Sequence, residues 1–180
     1  MMKNKIHSRI KVSENFYLDE FIDPYSFFYT LDNGLSLVDI RIFDFAQTLR
    51  NHKESGLRIN NWWWYYEKHK LEMPLSIIIN NIENNNSLSK WSGLRTPRSS
   101  YYSVTSAHST GKAIDPKGDS KLYFEIVKEN AKEFYDLGVR RIEDISITPT
   151  WLHGDMLERN TKPNSIRVVD RTKMTEIITW

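Results

Sequence analysis

One ten-residue segment constrains the fold of this chain more than any other stretch. Residues 106–115 carry His108 and Asp115 on either side of Gly111. The two polar side chains are too far apart to be neighbours on one helix face, whereas a tight turn at the glycine would bring them together. An imidazole and a carboxylate held in this way make up part of a metal site. We therefore expect a turn here, followed by a short strand that ends at Asp115.

A third metal ligand is available further along the chain. His153 lies in an apolar, aromatic run at residues 148–155, which is typical of a strand. Two histidines and one carboxylate leave a fourth coordination position for water, and such an open position is characteristic of a catalytic zinc site. The chain contains no cysteine, so a thiolate ligand, a cysteine nucleophile and a disulfide framework are all excluded. Any metal ion must be bound by histidine and carboxylate.

Three short motifs occur in a set order. Ser-Gly-x-Arg stands at residues 92–95, Ser-x-His-x-x-Gly-x-Ala-x-Asp at 106–115, and Trp-x-His at 151–153. In their order and spacing these motifs resemble those of the zinc D-Ala-D-Ala carboxypeptidase family and of the related phage endolysin-type peptidases. Residues 15–21 and 59–62 resemble the same family, so the resemblance spans roughly residues 15 to 158.

The resemblance implies both a fold and a set of site residues. The fold would be α+β, of the hedgehog/DD-peptidase type, with an antiparallel sheet and flanking helices. His108, Asp115 and His153 would bind a zinc ion. Arg95 matches the substrate-binding arginine of the family, with a structural salt bridge as the alternative. Ser106 matches a position near the substrate, with fixing of the loop as the alternative.

The proton acceptor remains open between two carboxylates, with neither of them as the third alternative. Several relatives carry an acid three residues before the last zinc-binding histidine, but here that position is Thr150. A hairpin that turns near residues 148–149 would place Glu143 across from His153 on the same face of the sheet, which makes Glu143 the first candidate. Asp155 is the second, because it shares a strand face with His153. It would act as the base, as an anchor for the imidazole, or only as a surface acid.

The chain length predicts one domain over residues 1–180. Helices are expected at 36–53, where Ser36 can cap the start, and at 120–137, where Asp119 or Ser120 can cap the start and Gly138 ends the helix. Strands are expected at 57–62, 139–145 and 150–156, and Trp151 in the last of these is expected to be a core residue. Residues 63–91 are interpreted as an insertion relative to the family. The aromatic cluster that opens it is expected to pack into the core, with a substrate-groove wall as the alternative, and its asparagine-rich tract at 80–86 is expected to form a loop. A C-terminal tail from about residue 159 would add an edge strand.

Charge and hydropathy narrow the possible partners. The net charge of +2 from 25 basic and 23 acidic residues, without a basic block, does not indicate nucleic-acid binding. No stretch is apolar enough for membrane insertion or for a signal peptide. We therefore expect synthesis in the cytoplasm and action at the cell wall after release, through a holin-dependent lysis system or as part of a virion.

The expected function is hydrolysis of a peptide bond in peptidoglycan by a zinc metallopeptidase. The enzyme would be either a D,D-carboxypeptidase or an endolysin-type endopeptidase, acting on stem or cross-link peptides. The alternative is a catalytically inactive virion structural or binding protein that retains the peptidase fold. Thr150, at the position of the missing acid, and the insertion at 63–91 motivate that alternative.

Overall fold

The computed structural model describes residues 7–53, 56–159, 162–170 and 175–180. In that part of the chain the architecture is mixed α+β, with six α-helices and one five-stranded sheet, so the expected α+β class is confirmed. The helices are α1 (Pro24–Tyr29), α2 (Arg41–His52), α3 (Trp63–His69), α4 (Leu75–Asn84), α5 (Ser120–Glu129) and α6 (Ala131–Asp136). The strands are β1 (Ala113–Ile114), β2 (Arg141–Glu143), β3 (Gly154–Asp155), β4 (Ser165–Val169) and β5 (Thr175–Thr179).

The sheet is mixed, with the strand order β1-β3-β2-β4-β5. Strand β3 pairs antiparallel with β1 and with β2, and β4 pairs antiparallel with β5, but β2 and β4 are parallel. The expectation of an antiparallel sheet is therefore wrong at the β2–β4 ladder. The reason is that β3 lies on one side of β2, and the chain then crosses to the other side before β4 begins. The expected hairpin is present as the β2–β3 pair, in which Arg141 lies opposite Asp155.

Helix α2 begins later than the expected range of 36–53. A short 3-10 turn, Leu35–Leu37, precedes it and contains the residue expected to cap the helix. An oxygen of Asp39 accepts a hydrogen bond from the backbone N–H of Arg41 at 3.2 Å, which satisfies one donor of the first helical turn. The apolar face of the helix is fully buried in the core, as its spacing predicted. That face consists of Ile42, Phe43, Phe45, Ala46 and Leu49.

The single helix expected at 120–137 is interrupted at Asn130. This residue has φ −114° and ψ 32°, which lies outside the helical region. Its side-chain amide donates to the carbonyl of Ile126 at 2.9 Å, and such a local side-chain bond competes with continuation of the helix. The expected ends are confirmed. Asp119 accepts the N–H of Leu122 at 3.0 Å, and Gly138 follows the second helix with φ +99°.

Residues 57–62 do not form the expected strand. Arg58 makes only an isolated bridge to Lys117, and helix α3 begins directly afterwards. The interpretation of the aromatic cluster as packing is confirmed for Trp63 and Tyr66, which are buried, but Trp64 is 51% exposed. The expected loop at 80–86 is wrong for its first residues, because helix α4 continues to Asn84. The buried isoleucines of α4 favour that helix over a loop.

The C-terminal region completes the sheet instead of trailing from it. Strand β4 pairs with β2, and β5 forms the edge, so the expected edge strand is confirmed. No helix in the described part of the chain is long and apolar enough to cross a membrane. Residues 1–6, which belong to the segment judged to lack a signal peptide, lie outside the described residues.

Candidate metal centre

Three side chains that are distant in sequence meet at one point. Nε2 of His108 lies 3.2 Å from Oδ1 of Asp115 and 3.1 Å from Nδ1 of His153, and the last two atoms are 2.9 Å apart. Two nitrogen ligands about 2.0–2.1 Å from a tetrahedral zinc ion lie about 3.3 Å from each other. The three groups therefore fit a single small metal ion. A fourth position would remain for a ligand that is not part of this group.

The turn between His108 and Asp115 brings these two side chains together. The hydroxyl of Ser106 accepts the N–H of His108 at 3.3 Å and begins a 3-10 turn, Ala107–Thr110. Gly111 then takes φ +64°, and its backbone lies so close to Leu37 that an added Cβ would be 2.1 Å from the Leu37 carbonyl oxygen. Only glycine fits this combination of conformation and packing. The reversal at Gly111 starts β1, which ends one residue before Asp115.

The Ser-Gly-x-Arg segment orients His108. Nδ1 of His108 donates to the carbonyl of Gly93 at 2.7 Å, which leaves Nε2 unprotonated and facing the other two groups. An added Cβ at Gly93 would lie 2.1 Å from the carbonyl oxygen of Phe21, so the glycine permits this close approach. Burial lowers the pKa of His108 below its usual range, and the carboxylate of Asp115 offsets only part of that effect. His108 is therefore neutral, the form that binds metal.

Asp115 is buried and contacts groups on two sides. Its Oδ1 faces the two histidines, and its Oδ2 accepts from Nη2 of Arg95 at 2.5 Å. Burial alone would raise the pKa of Asp115, but the neighbouring His108 and His153 imidazoles lower it well below its usual range. The side chain of Arg95 is further held by the carbonyl of Trp91, which accepts from Nε at 2.7 Å. Arg95 thus forms a salt bridge, as the alternative to substrate binding predicted, and its role towards a substrate stays a prediction.

Asp155 holds the far side of His153. Its Oδ2 lies 3.2 Å from Nε2 of His153, and it also accepts Nε of Arg141 at 2.9 Å. Its Oδ1 accepts the backbone N–H of Leu157 at 2.9 Å, and the side chain is fully buried. Burial alone would raise the pKa of Asp155, but the hydrogen bonds from His153 and Arg141 lower it. This arrangement matches the anchor interpretation of Asp155, in which a carboxylate orients a metal-binding imidazole.

The environment of His153 favours a charged imidazole in the metal-free protein. Burial lowers the pKa of His153, but its hydrogen bonds with Asp115 and Asp155 have the larger combined effect and raise the pKa to about 10. The negative charge of Glu143 adds to this increase. A metal ion at Nδ1 would replace the proton that the carboxylate of Asp115 now attracts.

Glu143 has the position expected of the first base candidate. Its backbone N–H donates to the carbonyl of His153 at 3.1 Å, so the two residues lie opposite each other on β2 and the segment that leads into β3. The Glu143 side chain lines the cavity at the metal centre. Within the described residues its carboxylate makes no hydrogen bond or ion pair, in contrast to that of Asp155. Of the two base candidates, Glu143 is therefore the one whose carboxylate has no such partner in this part of the chain.

A polar cavity of about 310 Å³ opens at the three ligands. Of its three arginines, Arg95 and Arg141 are in ion pairs with Asp115 and Asp155. The third, Arg159, is exposed, and across the described ranges its guanidinium has no partner. The cavity is lined by Arg95, Thr105, Ser106, Ala107, His108, Asp115, Arg141, Glu143, Trp151, His153 and Arg159.

Sequence reasoning missed three of the charged and aromatic residues that line the cavity. Arg141 and Arg159 lie outside the motifs, and Trp151 was expected to be a core residue. Trp151 instead is partly exposed on the cavity wall, and the ammonium of Lys117 lies 4.4 Å from its ring centroid. A signal for Arg141 was present, because it stands two residues before Glu143 and a strand places such residues on one face. No comparable signal marked Arg159.

Comparisons with known proteins do not assign the chain to a family. No protein-family model, no curated protein and no solved structure matches it. The resemblance to the zinc carboxypeptidases thus rests on the three motifs and on the grouping of His108, Asp115 and His153.

Proposed function

We propose that this protein is a zinc-dependent peptidase that hydrolyses a peptide bond in peptidoglycan, on a fold of the hedgehog/DD-peptidase type. The observation that carries the proposal is the convergence of two imidazole nitrogens and one carboxylate oxygen within 3.2 Å of one another, at the floor of a cavity. Such a set leaves a coordination position open, as catalytic zinc sites do and as structural sites do not. The choice of peptidoglycan among peptide substrates rests on the resemblance of the motifs.

The residues divide the work of hydrolysis among them. His108, Asp115 and His153 would hold the metal, and zinc in such a site polarises a carbonyl and lowers the pKa of water. Glu143 takes one proton from the attacking water as the carbon–oxygen bond forms. It then delivers that proton to the nitrogen as the carbon–nitrogen bond breaks. The other proton of the water leaves the new carboxyl group and is taken up by the amine near neutral pH, so the products are a carboxylate and an ammonium group.

Two cations act around these groups. Nη2 of Arg95 lies 2.5 Å from Oδ2 of Asp115, and this ion pair keeps Oδ1 of Asp115 directed at the metal position. Arg159 is the cavity arginine whose guanidinium can donate hydrogen bonds to a substrate carboxylate, because Arg95 and Arg141 are each already paired. Peptidoglycan peptides carry such carboxylates. The substrate-binding role that the resemblance implies for Arg95 is therefore shared with, or taken over by, Arg159.

Hydrolysis of isolated peptidoglycan tests the proposal. Purified protein loaded with zinc should release new amino groups from peptidoglycan, and a chelator should abolish the release until zinc is restored. Mass spectrometry of the products identifies the bond and separates the D,D-carboxypeptidase from the endopeptidase. Glu143→Gln, with its zinc content checked, is the matched inactive control.

The second candidate is a virion structural or binding protein that retains the fold without activity. Thr150, exposed at the position where several relatives have an acid, favours it. Zinc-loaded protein that binds peptidoglycan without releasing amino groups would establish this candidate and overturn the peptidase. Action at the cell wall after release, by a holin-dependent route or from a virion, belongs to either candidate.

A further inference from the structure

A second cavity lies away from the metal centre. Its walls are formed by Arg9, by the turn that contains Asp19 and Glu20, and by residues 60–67, which include the start of helix α3. Its volume is about 630 Å³, which is large enough for a ligand of several rings. Two tryptophans contribute to its wall, and carboxylate, carboxamide and guanidinium groups contribute the remainder. The proposed peptidase chemistry makes no use of this cavity.

The two tryptophans differ in their surroundings. Trp63 is 6% exposed and packs against Phe28 and Tyr66, with ring centroids 6.2 Å and 4.8 Å away. Trp64 is 51% exposed, and its only ring contact within the described residues is with Tyr65 at 5.9 Å. The buried indole thus fixes the start of the helix, and the next residue presents a large apolar surface to solvent. An aromatic face of this kind attracts ligands that carry many C–H groups on a flat side.

Each carboxylate in the cavity has a cationic partner. Nη2 of Arg9 lies 2.7 Å from Asp19 and 3.3 Å from Glu20. Nζ of Lys70 lies 2.6 Å from Glu67. Because every carboxylate has a cationic partner, the cavity does not favour a cationic ligand. Because it has more carboxylates than guanidinium groups, it does not favour an anion such as a phosphate or a nucleic acid.

The polar atoms in the cavity are arranged for hydroxyl and amide groups. Oδ1 of Asn61 accepts the N–H of Ser89 at 2.7 Å, whereas its NH₂ group has no partner in the described part of the chain. Burial raises the pKa of Glu20 to about 7, so near neutral pH this carboxyl is not fully charged and can also donate. Neutral donors and acceptors beside an exposed indole are the features that a sugar ring needs, since one of its faces is apolar and its rim is made of hydroxyl groups.

We propose that this cavity is a second binding site, separate from the metal centre, for a neutral saccharide that stacks on Trp64 and hydrogen-bonds to Asn61 and Glu20. Two successive hydrogen bonds connect the wall of this cavity to the metal centre. Oδ1 of Asn60, a residue of the cavity wall, accepts the N–H of Ser92 at 3.0 Å, and the carbonyl of Ser92 accepts the N–H of Asp115 at 2.7 Å.

The proposed function supplies one saccharide of this kind, the glycan strand from which the stem peptides extend. That step of the proposal rests on the peptidase function, whereas the existence of the saccharide site does not. A glycan held at this cavity would keep the peptides attached to it close to the metal centre, which raises their effective concentration there.

The experiment is a titration of the full chain with the tetramer of N-acetylglucosamine, in which tryptophan fluorescence and calorimetry measure binding. Saturable binding is expected. Trp64→Ala should weaken it by about 3- to 10-fold, the usual worth of one aromatic contact. Asn61→Asp keeps the acceptor for Ser89 and removes the NH₂ group, so it should also weaken binding. Trp180→Ala is the matched control, since Trp180 is 45% exposed and lies at the end of β5.

Other results of the same titration would overturn the saccharide site or change the class of its ligand. No saturable binding by the unaltered protein, or an equal loss in the Trp180 variant, would overturn the saccharide site. Displacement of the tetramer by tetramethylammonium would replace it with a cation site. His153→Ala should bind the tetramer as the unaltered protein does, so that a failure of the metal centre and a failure of the saccharide site are distinguished.

Discussion

Nδ1 of His153 lies 2.9 Å from Oδ1 of Asp115, although 38 positions separate the two residues in the chain. Both atoms also face Nε2 of His108. In the metal-free protein a proton on His153 satisfies the carboxylate, and a metal ion would take the place of that proton. The first two predictions follow from this relationship.

Replacing either histidine should remove the metal. His108→Ala and His153→Ala each leave two ligands, and two ligands hold zinc far more weakly than three. Zinc content measured after dialysis should be about one ion per chain for the unaltered protein and near zero for both variants. His52→Ala is the matched control, because His52 pairs with Glu133 on the surface and should keep its zinc. Full zinc content in either site variant would remove that residue from the metal centre.

Zinc binding should release about one proton from His153. The pKa of this residue is raised to about 10, while the pKa of His108 is lowered, so of the two imidazoles only that of His153 is positively charged near pH 7 and must lose a proton to bind zinc. Between pH 7 and 8.5 the zinc affinity should therefore rise by about tenfold per pH unit. Competition with a chromophoric chelator measures the affinity, and calorimetry in buffers of different ionisation enthalpy counts the protons. An affinity that does not change with pH would contradict the assignment.

The same raised pKa sets the direction of a stability change in the metal-free protein. Protonated His153 stabilises the fold most below the unfolded-state pKa of about 6.5, and this contribution is lost as the pH rises towards 10. The thermal unfolding midpoint of the chelator-treated protein should accordingly decrease as the pH is raised from 6.5 to 9. His153→Gln should show a flatter dependence over that range, and an unchanged slope would contradict the prediction.

Glu143 and Asp155 should give different signatures when their charge is removed. Glu143→Gln should retain zinc and lose activity by about 100-fold or more, the usual worth of a general base. Asp155→Asn should weaken zinc affinity by about 10- to 100-fold, because Asp155 orients the imidazole of His153 at 3.2 Å. Zinc titration and kinetics on the same preparations test both. If Asp155→Asn instead keeps its zinc and is the more damaging to catalysis, the two roles are exchanged.

Replacement of Arg95 and replacement of Arg159 should likewise have different effects on zinc binding and on catalysis. Arg95→Ala removes the partner of Asp115 and should weaken zinc binding, with Arg95→Lys restoring only part of it. Arg159→Ala should leave zinc unchanged and raise KM by about 10- to 100-fold with little change in kcat, as expected for loss of a charge-assisted contact to substrate. Peptides whose carboxylate has been amidated should be insensitive to Arg159→Ala. A zinc-depleted Arg159 variant would contradict this division.

Local sequence signals predicted the elements that depend on a few neighbouring residues. The turn at Gly111 is one example, because glycine takes a positive φ, here +64°, without the steric cost that a side chain would add. The buried face of α2 and the cap at Asp119 are others. Signals of this range failed where a side chain interferes with the backbone, as at Asn130, or where an apolar run is too short to specify its partner, as at residues 57–62.

The sequence by itself predicted that two histidines and one carboxylate occur in motifs able to hold one ion, and it offered Glu143 and Asp155 as candidate bases without deciding between them. Only the tertiary structure distinguished the surroundings of these two carboxylates. Arg141 and Asp155 are paired because the β2–β3 register places them opposite each other, and that pairing leaves Glu143 without a partner in the described chain. Strand register and side-chain direction are set by packing across the whole sheet, and residue spacing within one segment does not contain that information.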